Sequence, residues 1–357
     1  MPTRGKSTFN RPVRLQDVAD AAGTSLATAS LAMNGKGRVS PATQQRVLRI
    51  ARRMGFEAHP SAQLLATGHR SAHVGIFTRD LDLGVVTKKL QLLQGILFEK
   101  GFNASIYSGG DDRGGRVADH AGLLRDLRRQ RPLAIICHNT QYFDEEMLRE
   151  IEIYAANGGH VVTFDFASVL PCDQVIFDRA DSADQAVTFL LEQGHRKIGF
   201  AMPGIHRDNV RIEGLRKAFG RFGLEAREEF FFDCAVEASS EKLGEFLAWQ
   251  FLQRPQRPSA LCIPDDVAAA SFIAALYRQG VRVPQDVSVV SHDDLPIAAH
   301  HFIPITTIAQ PLETIARETA ELLLSRVQEG YDGPPRTVRL RGKLVVRQST
   351  APLKILS

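Results

Sequence analysis

The feature that most limits what this chain can become is an alternation that begins at residue 73. Short β-rich runs at His73–Phe77, Asn103–Tyr107, Ala134–Cys137, Val161–Asp165, Gln174–Phe177, Lys197–Met202, Ala260–Pro264 and Val287–Ser291 alternate with helix-length stretches such as 86–100, 181–193 and 211–223. Parallel strands need a crossover connection, so this rhythm predicts parallel sheets covered by helices on both faces. The length available, about 280 residues, suits two such lobes. Ligands of open α/β sheets bind beyond the carboxyl ends of the strands. The polar residues there are Asp165, Asp178, Asp265, Asp266, Asp293 and Asp294. Capping of the following helix is the competing role for such aspartates, and it weighs most on Asp178 and Asp266.

Residues 1–70 do not join this rhythm. They carry eleven Lys and Arg against three acids, a formal +8, while the other 33 basic and 37 acidic residues leave the remainder at −4. A basic head on a mildly acidic body is the asymmetry expected when one domain meets a polyanion and the other does not. In the head, Leu15, Val18, Ala19 and Ala22 follow the spacing of one helix face. Gly23 then supplies a residue tolerant of positive φ, and Thr24-Ser25 offers a cap hydroxyl for a second helix from Leu26 to about Met33. Ser40-Pro41 marks a third start, a cap hydroxyl with Pro at the first helical position. Its predicted buried face is Val47, Leu48, Ile50, Ala51 and Met54, with Arg46, Arg49, Arg52 and Arg53 in solvent. The pattern is a helix-turn-helix; a generic three-helix bundle with a basic exterior is the alternative that pattern alone leaves open.

Several function classes are disfavoured. Hydrophobic residues at 44% and charged residues at 24% are ordinary globular values, which excludes a disordered chain or a fibre. No apolar run approaches the roughly eighteen residues of a membrane span. The opening MPTRGKSTFNRPV is polar and basic, with no apolar core of a secretory signal, so a cytoplasmic protein is expected. Cys137, Cys172, Cys234 and Cys262 lie far apart without a C-x-x-C pair and predict reduced thiols. His300–His301 and His292-Asp293-Asp294 lack the i, i+4 spacing of a helical metal clamp, so neither metal nor cofactor is expected. Gly109-Gly110-Asp-Asp-Arg-Gly114-Gly115 reads as a surface turn. With no nucleophile elbow, P-loop or dinucleotide fingerprint, the chain is not expected to be an enzyme.

The spelling of two regions goes further. In the head stand Asp17-Val18-Ala19-x-x-Ala22-Gly23-x-Ser25-x-x-Thr28-x-Ser30-x-x-x-Asn34-Gly35 and Val39-Ser40-x-x-Thr43-x-x-x-Val47. In the body stand Gly194-His195-Arg196-Lys197-Ile198-Gly199, Arg211-x-x-Gly214, Pro258-x-Ala260, Asp266, Val283-Pro284-x-Asp286-Val287-Ser288-Val289-Val290, Asp293-Asp294, Pro304-x-Thr306-Thr307 and Leu344-Val345-Val346-Arg347-x-Ser349. Together these resemble the lactose-repressor (LacI/GalR) family of bacterial transcription regulators over residues 14 to 350. The resemblance implies an all-α helix-turn-helix head plus an α/β two-lobed body like that of periplasmic sugar-binding proteins. It implies a basic arm over 1–13, a DNA-binding domain over 14–58, a hinge over 59–70, an effector and dimerisation domain over 71–350 and a tail over 351–357. The first lobe would take about 71–177 plus 308–333, and the second about 178–307 plus 334–350.

The resemblance also implies roles. The second helix would enter the major groove of double-stranded operator DNA, with Leu26, Ala27 and Leu31 at base edges. Ser25, Thr28, Ser30, Asn34, Ser40 and Thr43 would bond phosphate oxygens and set register. Leu31 stands where the family often has Arg, so readout is expected to lean on thymine methyls and shape instead of an Arg–guanine pair. The hinge segment is too short for a stable isolated helix; in the family it folds on DNA and wedges a leucine, here Leu65, into the minor groove. Ala58-His59 replaces the usual Pro-Asn before it.

In the body, Arg211, Asp293, Asp165 and Asp265 would line an interlobe cleft. A guanidinium can hold two ligand oxygens and carboxylates accept from hydroxyls, and three carboxylates against one Arg favour a neutral sugar or polyol. Asp265 replaces a common Asn, Cys234 falls near the place of a stacking aromatic, and Asp80-Leu-Asp-Leu-Gly-Val-Val lacks the usual Asn-Pro-Phe-Phe-like stretch. A homodimer on a palindrome is expected, because one helix-turn-helix reads one half-site. Only Thr350–Ser357 follows Ser349, so a dimer is favoured over the tetramers that use a C-terminal leucine heptad helix. The expected function is a ligand-controlled transcriptional regulator, a repressor in the first instance. The alternative is a small-molecule-binding protein or cleft enzyme with an appended nucleic-acid-binding head.

Overall fold

A computed structural model describes residues 13–34, 39–54, 56, 73–79, 81, 84–109, 119–203, 209–234 and 239–353. The chain divides into two compact units, Met1–Ser71 and Ala72–Ser357. Residues 1–12 of the arm expected over 1–13, and the expected hinge, including Leu65, lie outside the described residues.

The first unit contains α1 (Leu15–Ala21), α2 (Leu26–Asn34) and α3 (Pro41–Met54). Asp17 starts α1, its carboxylate accepting the Arg14 N–H at 2.7 Å. Gly23 ends it at φ +59°, in the left-handed region that a tight helical turn demands. The two serines that the sequence offers as caps act as caps. Ser25 Oγ accepts from Thr28 N–H at 3.1 Å, and Ser40 Oγ accepts from Thr43 N–H at 3.2 Å. The core is small and built of Val18, Ala19, Ala22, Ala29, Ala32, Val47 and Ala51. Alanines at these contacts let three short helices approach closely. Arg46, Arg49, Arg52 and Arg53 stay exposed along α3.

The second unit holds β1 (His73–Thr78), α4 (Gly84–Glu99), β2 (Asn103–Ser108), α5 (His120–Arg129), β3 (Ala134–His138), α6 (Glu145–Ala156), β4 (His160–Asp165), β5 (Asp173–Phe177), α7 (Arg179–Glu192), β6 (Ile198–Pro203), α8 (Asn209–Arg221), β7 (Phe231–Cys234), α9 (Ser240–Gln253), β8 (Ala260–Cys262), α10 (Asp266–Arg278), β9 (Ser288–Asp293), α11 (Pro296–His300), β10 (Thr306–Ala309), α12 (Leu312–Val327), β11 (Thr337–Leu340) and β12 (Lys343–Val345). They form two six-stranded sheets, ordered β11-β5-β4-β3-β1-β2 and β12-β10-β9-β8-β6-β7. Every pairing is parallel except that of β10 with β12.

Helices cover both faces of each sheet, as parallel strands require. Leu90, Leu93 and Leu97 of α4 and Ile315, Leu322 and Leu323 of α12 share one core with the first sheet. On the second sheet, Leu247 and Phe251 of α9 and Phe272 and Ile273 of α10 fill one core, and Val187, Leu190, Leu215 and Phe219 of α7 and α8 fill another. Gly214 explains its place in the sequence: a Cβ there would run into the Ala180 carbonyl oxygen of α7.

The chain passes between the sheets three times: after β5, after β10 and after β11. The last passage corrects a boundary. The sequence reading assigns 334–350 to the second lobe, yet Thr337–Leu340 pairs in register with Gln174–Phe177 of the first sheet. The return therefore falls at Arg341–Gly342. Asp173 explains why: its buried carboxylate receives Arg326 and Arg336 in charge-assisted bonds of 2.6–2.9 Å and pins the segment before β11 to β5.

Candidate functional site

Two surfaces carry the residues that the sequence singles out. The first is α2. Its inner side, Ala29 and Ala32, is buried in the head core, while Leu26 and Leu31 are 46% and 43% exposed and Ala27 is exposed with them. Large apolar side chains held in solvent on a short helix, beside polar residues, mark a contact face more than a packing remnant. Ser25 and Ser40 are exposed at the starts of α2 and α3, each within 2.9 Å of a threonine hydroxyl (Thr28 and Thr43). Ser30 is half-buried on α2; the side chain of Asn34 lies outside the described residues.

The second surface gathers at the carboxyl ends of the two sheets. Asp165 ends β4 at φ +89° and Asp293 ends β9 at φ +106°, while Asn139, just after β3, sits at +52°. Non-glycine residues in this region cost of order 1–3 kcal/mol each and concentrate at functional sites. Asp165 is buried and saturated. Lys89 Nζ lies 2.8 Å and Arg179 Nη2 3.1 Å from Oδ1, His138 Nε2 lies 3.1 Å from Oδ2, and Arg179 Nη1 donates to the Asp165 carbonyl at 2.7 Å. Burial alone would push this carboxyl up. Arg179, Lys89 and the His138 hydrogen bond outweigh burial and hold it well below the usual carboxylate range. Arg179 also lies over the Phe166 ring, its Cζ 3.4 Å from the centroid.

Asp293 belongs to the same cluster with the opposite sign of shift. Burial, then Asp266 and Asp265, raise it to about 7, against the pull of Lys89 and the hydrogen bond from Gln310 Nε2 at 2.6 Å. Arg211, half-buried on α8, is near enough to act electrostatically on Arg179 and on His292. Burial and Arg211 together take His292 down to about 4, so its ring is neutral.

Asp265 departs from its expected part. It is the N-cap of α10: Oδ1 accepts from Ala268 N–H at 2.8 Å and Oδ2 from Ser240 Oγ at 3.1 Å. The capping role therefore falls to Asp178 and Asp265, not to Asp178 and Asp266. Asp266 points inward, where the Ser291 hydroxyl, Thr307 Oγ1 at 2.8 Å and Leu295 N–H at 2.6 Å converge on it. Burial raises it to about 6 in spite of those donors.

The four residues expected in the cleft are thus brought into one electrostatic neighbourhood, but the count of three carboxylates against one Arg is overturned. Lys89 and Arg179 join Arg211. Lys89 was detectable: it falls at the buried spacing Val85, Lys89, Leu93, Leu97, a core position for an amine. Arg179 hides behind the cap Asp178, and His138, Gln310 and His292 carry no pattern of their own.

Among the described residues no helix is long and apolar enough to cross a membrane, and no group of three or more His, Cys, Asp or Glu could hold a metal ion. Cys137, Cys234 and Cys262 are buried and free, and Cys172 is half-buried and free.

Comparison with known proteins finds relatives for both parts of the chain. Residues 14–59 match the family of bacterial regulatory proteins, lacI family, and residues 187–350 match the periplasmic binding protein-like domain. The HTH-type transcriptional repressor PurR of Yersinia pestis bv. Antiqua (strain Antiqua) is 26% identical over 341 residues, covering 94% of this chain and 96% of that protein. The transcriptional regulator CelR in complex with cellobiose is similar with a TM-score of 0.67 at 25% identity, over 95% of this chain and 100% of that one. The lac repressor dimer bound to operator and the anti-inducer ONPF has a TM-score of 0.75 at 23% identity, over 96% of this chain and 100% of that one. With this head, this two-sheet body and these relatives along nearly its whole length, residues 14–59 form a domain of the lacI family of bacterial regulatory proteins, residues 187–350 a periplasmic binding protein-like domain, and the chain as a whole is similar to transcriptional regulators.

Proposed function

We propose that this regulator is a cytoplasmic repressor that binds a palindromic operator as a homodimer, under control of a small ligand of the sugar or polyol class held between the lobes. The observation that carries the DNA reading is the face of α2: Leu26, Ala27 and Leu31 stand exposed while Ala29 and Ala32 anchor the helix. Apolar tips of this kind suit thymine methyl groups in the major groove. Ser25, Thr28, Ser30, Asn34, Ser40 and Thr43 serve as phosphate contacts that set register, and Leu65 as the minor-groove wedge. Arg211, Asp293, Asp165 and Asp265 surround the ligand, Asp165 and Asp265 acting through the groups they hold. Linkage supplies the control, since a ligand that favours one arrangement of the lobes shifts operator affinity by its differential binding. Nothing in this scheme calls for catalysis.

The test is a mobility-shift selection of palindromic duplexes at several salt concentrations, repeated with Leu31→Arg. Phosphate contacts release counterions, so affinity should fall steeply and linearly in log salt. The arginine should move base preference toward guanine opposite position 31. Absence of any duplex binding at low salt overturns the DNA reading, and an unchanged preference removes Leu31 from the readers.

A further inference from the structure

Within the cluster at the sheet ends, the contacts around Asp165 are unbalanced in charge. Asp165 is a single carboxylate between two buried cations, Lys89 and Arg179, so the trio carries a net positive charge. Asp165 takes one of the three N–H donors of Lys89. Asp293 is placed to supply the balancing charge, close enough for Lys89 and Arg179 to feel it. Burial and the adjacent Asp266 and Asp265 work against its ionisation. An ionised group without its counter-charge is costly in such a setting, and a bound anion removes that cost.

A second observation concerns acceptors. His292 is 6% exposed, and its Nδ1 lies 3.1 Å from the Ile263 carbonyl oxygen. A carbonyl only accepts, so the ring proton is on Nδ1 and Nε2 is a bare acceptor. Gln310 spends its amide N–H on Asp293 Oδ1, which fixes the amide and leaves Oε1 as an acceptor too. Both His292 Nε2 and Gln310 Oε1 are buried without a hydrogen-bond partner among the described residues. Native proteins seldom leave such atoms orphaned unless something else fills the place. An acid group would meet repulsion at these lone pairs, whereas hydroxyl groups would satisfy them.

We propose that the cleft takes a hydroxylated carboxylic acid of sugar size, its carboxylate against Lys89 and Arg179 and its hydroxyls donating to His292 Nε2 and Gln310 Oε1. This rests on the cleft being the ligand site, as set out above, and narrows the sugar-or-polyol class to its acids. Isothermal titration of the full chain with sodium glucuronate, galacturonate and gluconate, against glucose and galactose as neutral counterparts, tests it. At least one acid should bind about tenfold or more tightly than either neutral sugar, the equivalent of about 1.4 kcal/mol. Lys89→Met should erase that advantage, and Lys89→Arg, which keeps the charge and guards against a folding defect, should retain part of it. Neutral sugars binding as tightly as the acids would overturn the acid assignment and leave the ligand-sensor reading standing. No binding by any of the five would overturn the assignment as well, while operator binding, measured separately, decides the regulator reading on its own.

Discussion

Replacing Asp165 with Asn is the sharpest probe of how the cleft is held together. The substitution keeps shape and removes one charge, leaving Lys89 at 1% exposure and Arg179 at 9% exposure of their side chains without an anion in contact. Breaking a buried pair from one side costs about 3–5 kcal/mol, because the partner stays buried and uncompensated. Against a domain stability of roughly 5–15 kcal/mol this is a large share. For a unit of this size it should lower Tm by about 6–10 °C in thermal unfolding followed by circular dichroism. Lys89→Met is the asymmetric control, since Asp165 keeps Arg179 and His138 and only about 1–2 kcal/mol should go. In the double variant one uncompensated cation is gone, so the losses should fall short of the sum by about 1 kcal/mol or more. The carboxyl also leaves a pH signature. Its folded pKa lies below the unfolded value of about 3.9, so its stabilisation is complete above that value and disappears as pH falls through the folded one. A cost below about 1 kcal/mol for Asp165→Asn, or strict additivity with Lys89→Met, would refute the account of a shared ion cluster.

Other consequences can be checked on the same protein. Asp293 has its folded pKa raised to about 7, so its own contribution to stability should fall as pH climbs from about 4 to about 7 and then level off. Asp293→Asn keeps the Gln310 bond and a residue type that tolerates positive φ, and should gain on the wild type through that window; a stability difference from the wild type that stays constant with pH would contradict the shift. Ser25→Ala should cost about 1 kcal/mol in the head and speed amide exchange in α2 roughly fivefold, and unchanged exchange would deny the cap its role. Gly214→Ala should cost about 1–3 kcal/mol by forcing α8 away from Ala180, which urea unfolding would show; wild-type stability would mean the helices separate freely.

The head was legible almost residue by residue, because caps, turn glycine and apolar spacing are local signals. Gly23, Ser25 and Ser40 each do in the structure what their residue types permit. In the body, long buried strands such as β1 and β3 announce themselves as apolar runs. The edge and closing strands do not: Thr337–Leu340 is partly exposed and four residues long, and Phe231–Cys234, Thr306–Ala309 and Lys343–Val345 are as short or shorter. Their pairing is decided by the fold around them. At the site, strand-end carboxylates could be enumerated from sequence, but their partners come from elsewhere. Lys89 reaches in from the buried side of α4, and Arg179 from the first turn of α7. Which of two adjacent aspartates caps α10 depends on where the helix begins, a matter of one residue that spacing does not settle.

The three passages between the sheets bear on how this protein can be made. A ribosome releases the first five strands of the first sheet early, yet α12, whose Ile315, Leu322 and Leu323 cover that sheet, and β11, its edge strand, emerge only with about the last eighth of the chain. The amino-terminal lobe must therefore wait, with an apolar face open, while the second lobe is synthesised and begins to pack. Vectorial, lobe-by-lobe completion is closed to this topology, and nascent chains stalled before residue 312 should be the species most dependent on chaperones.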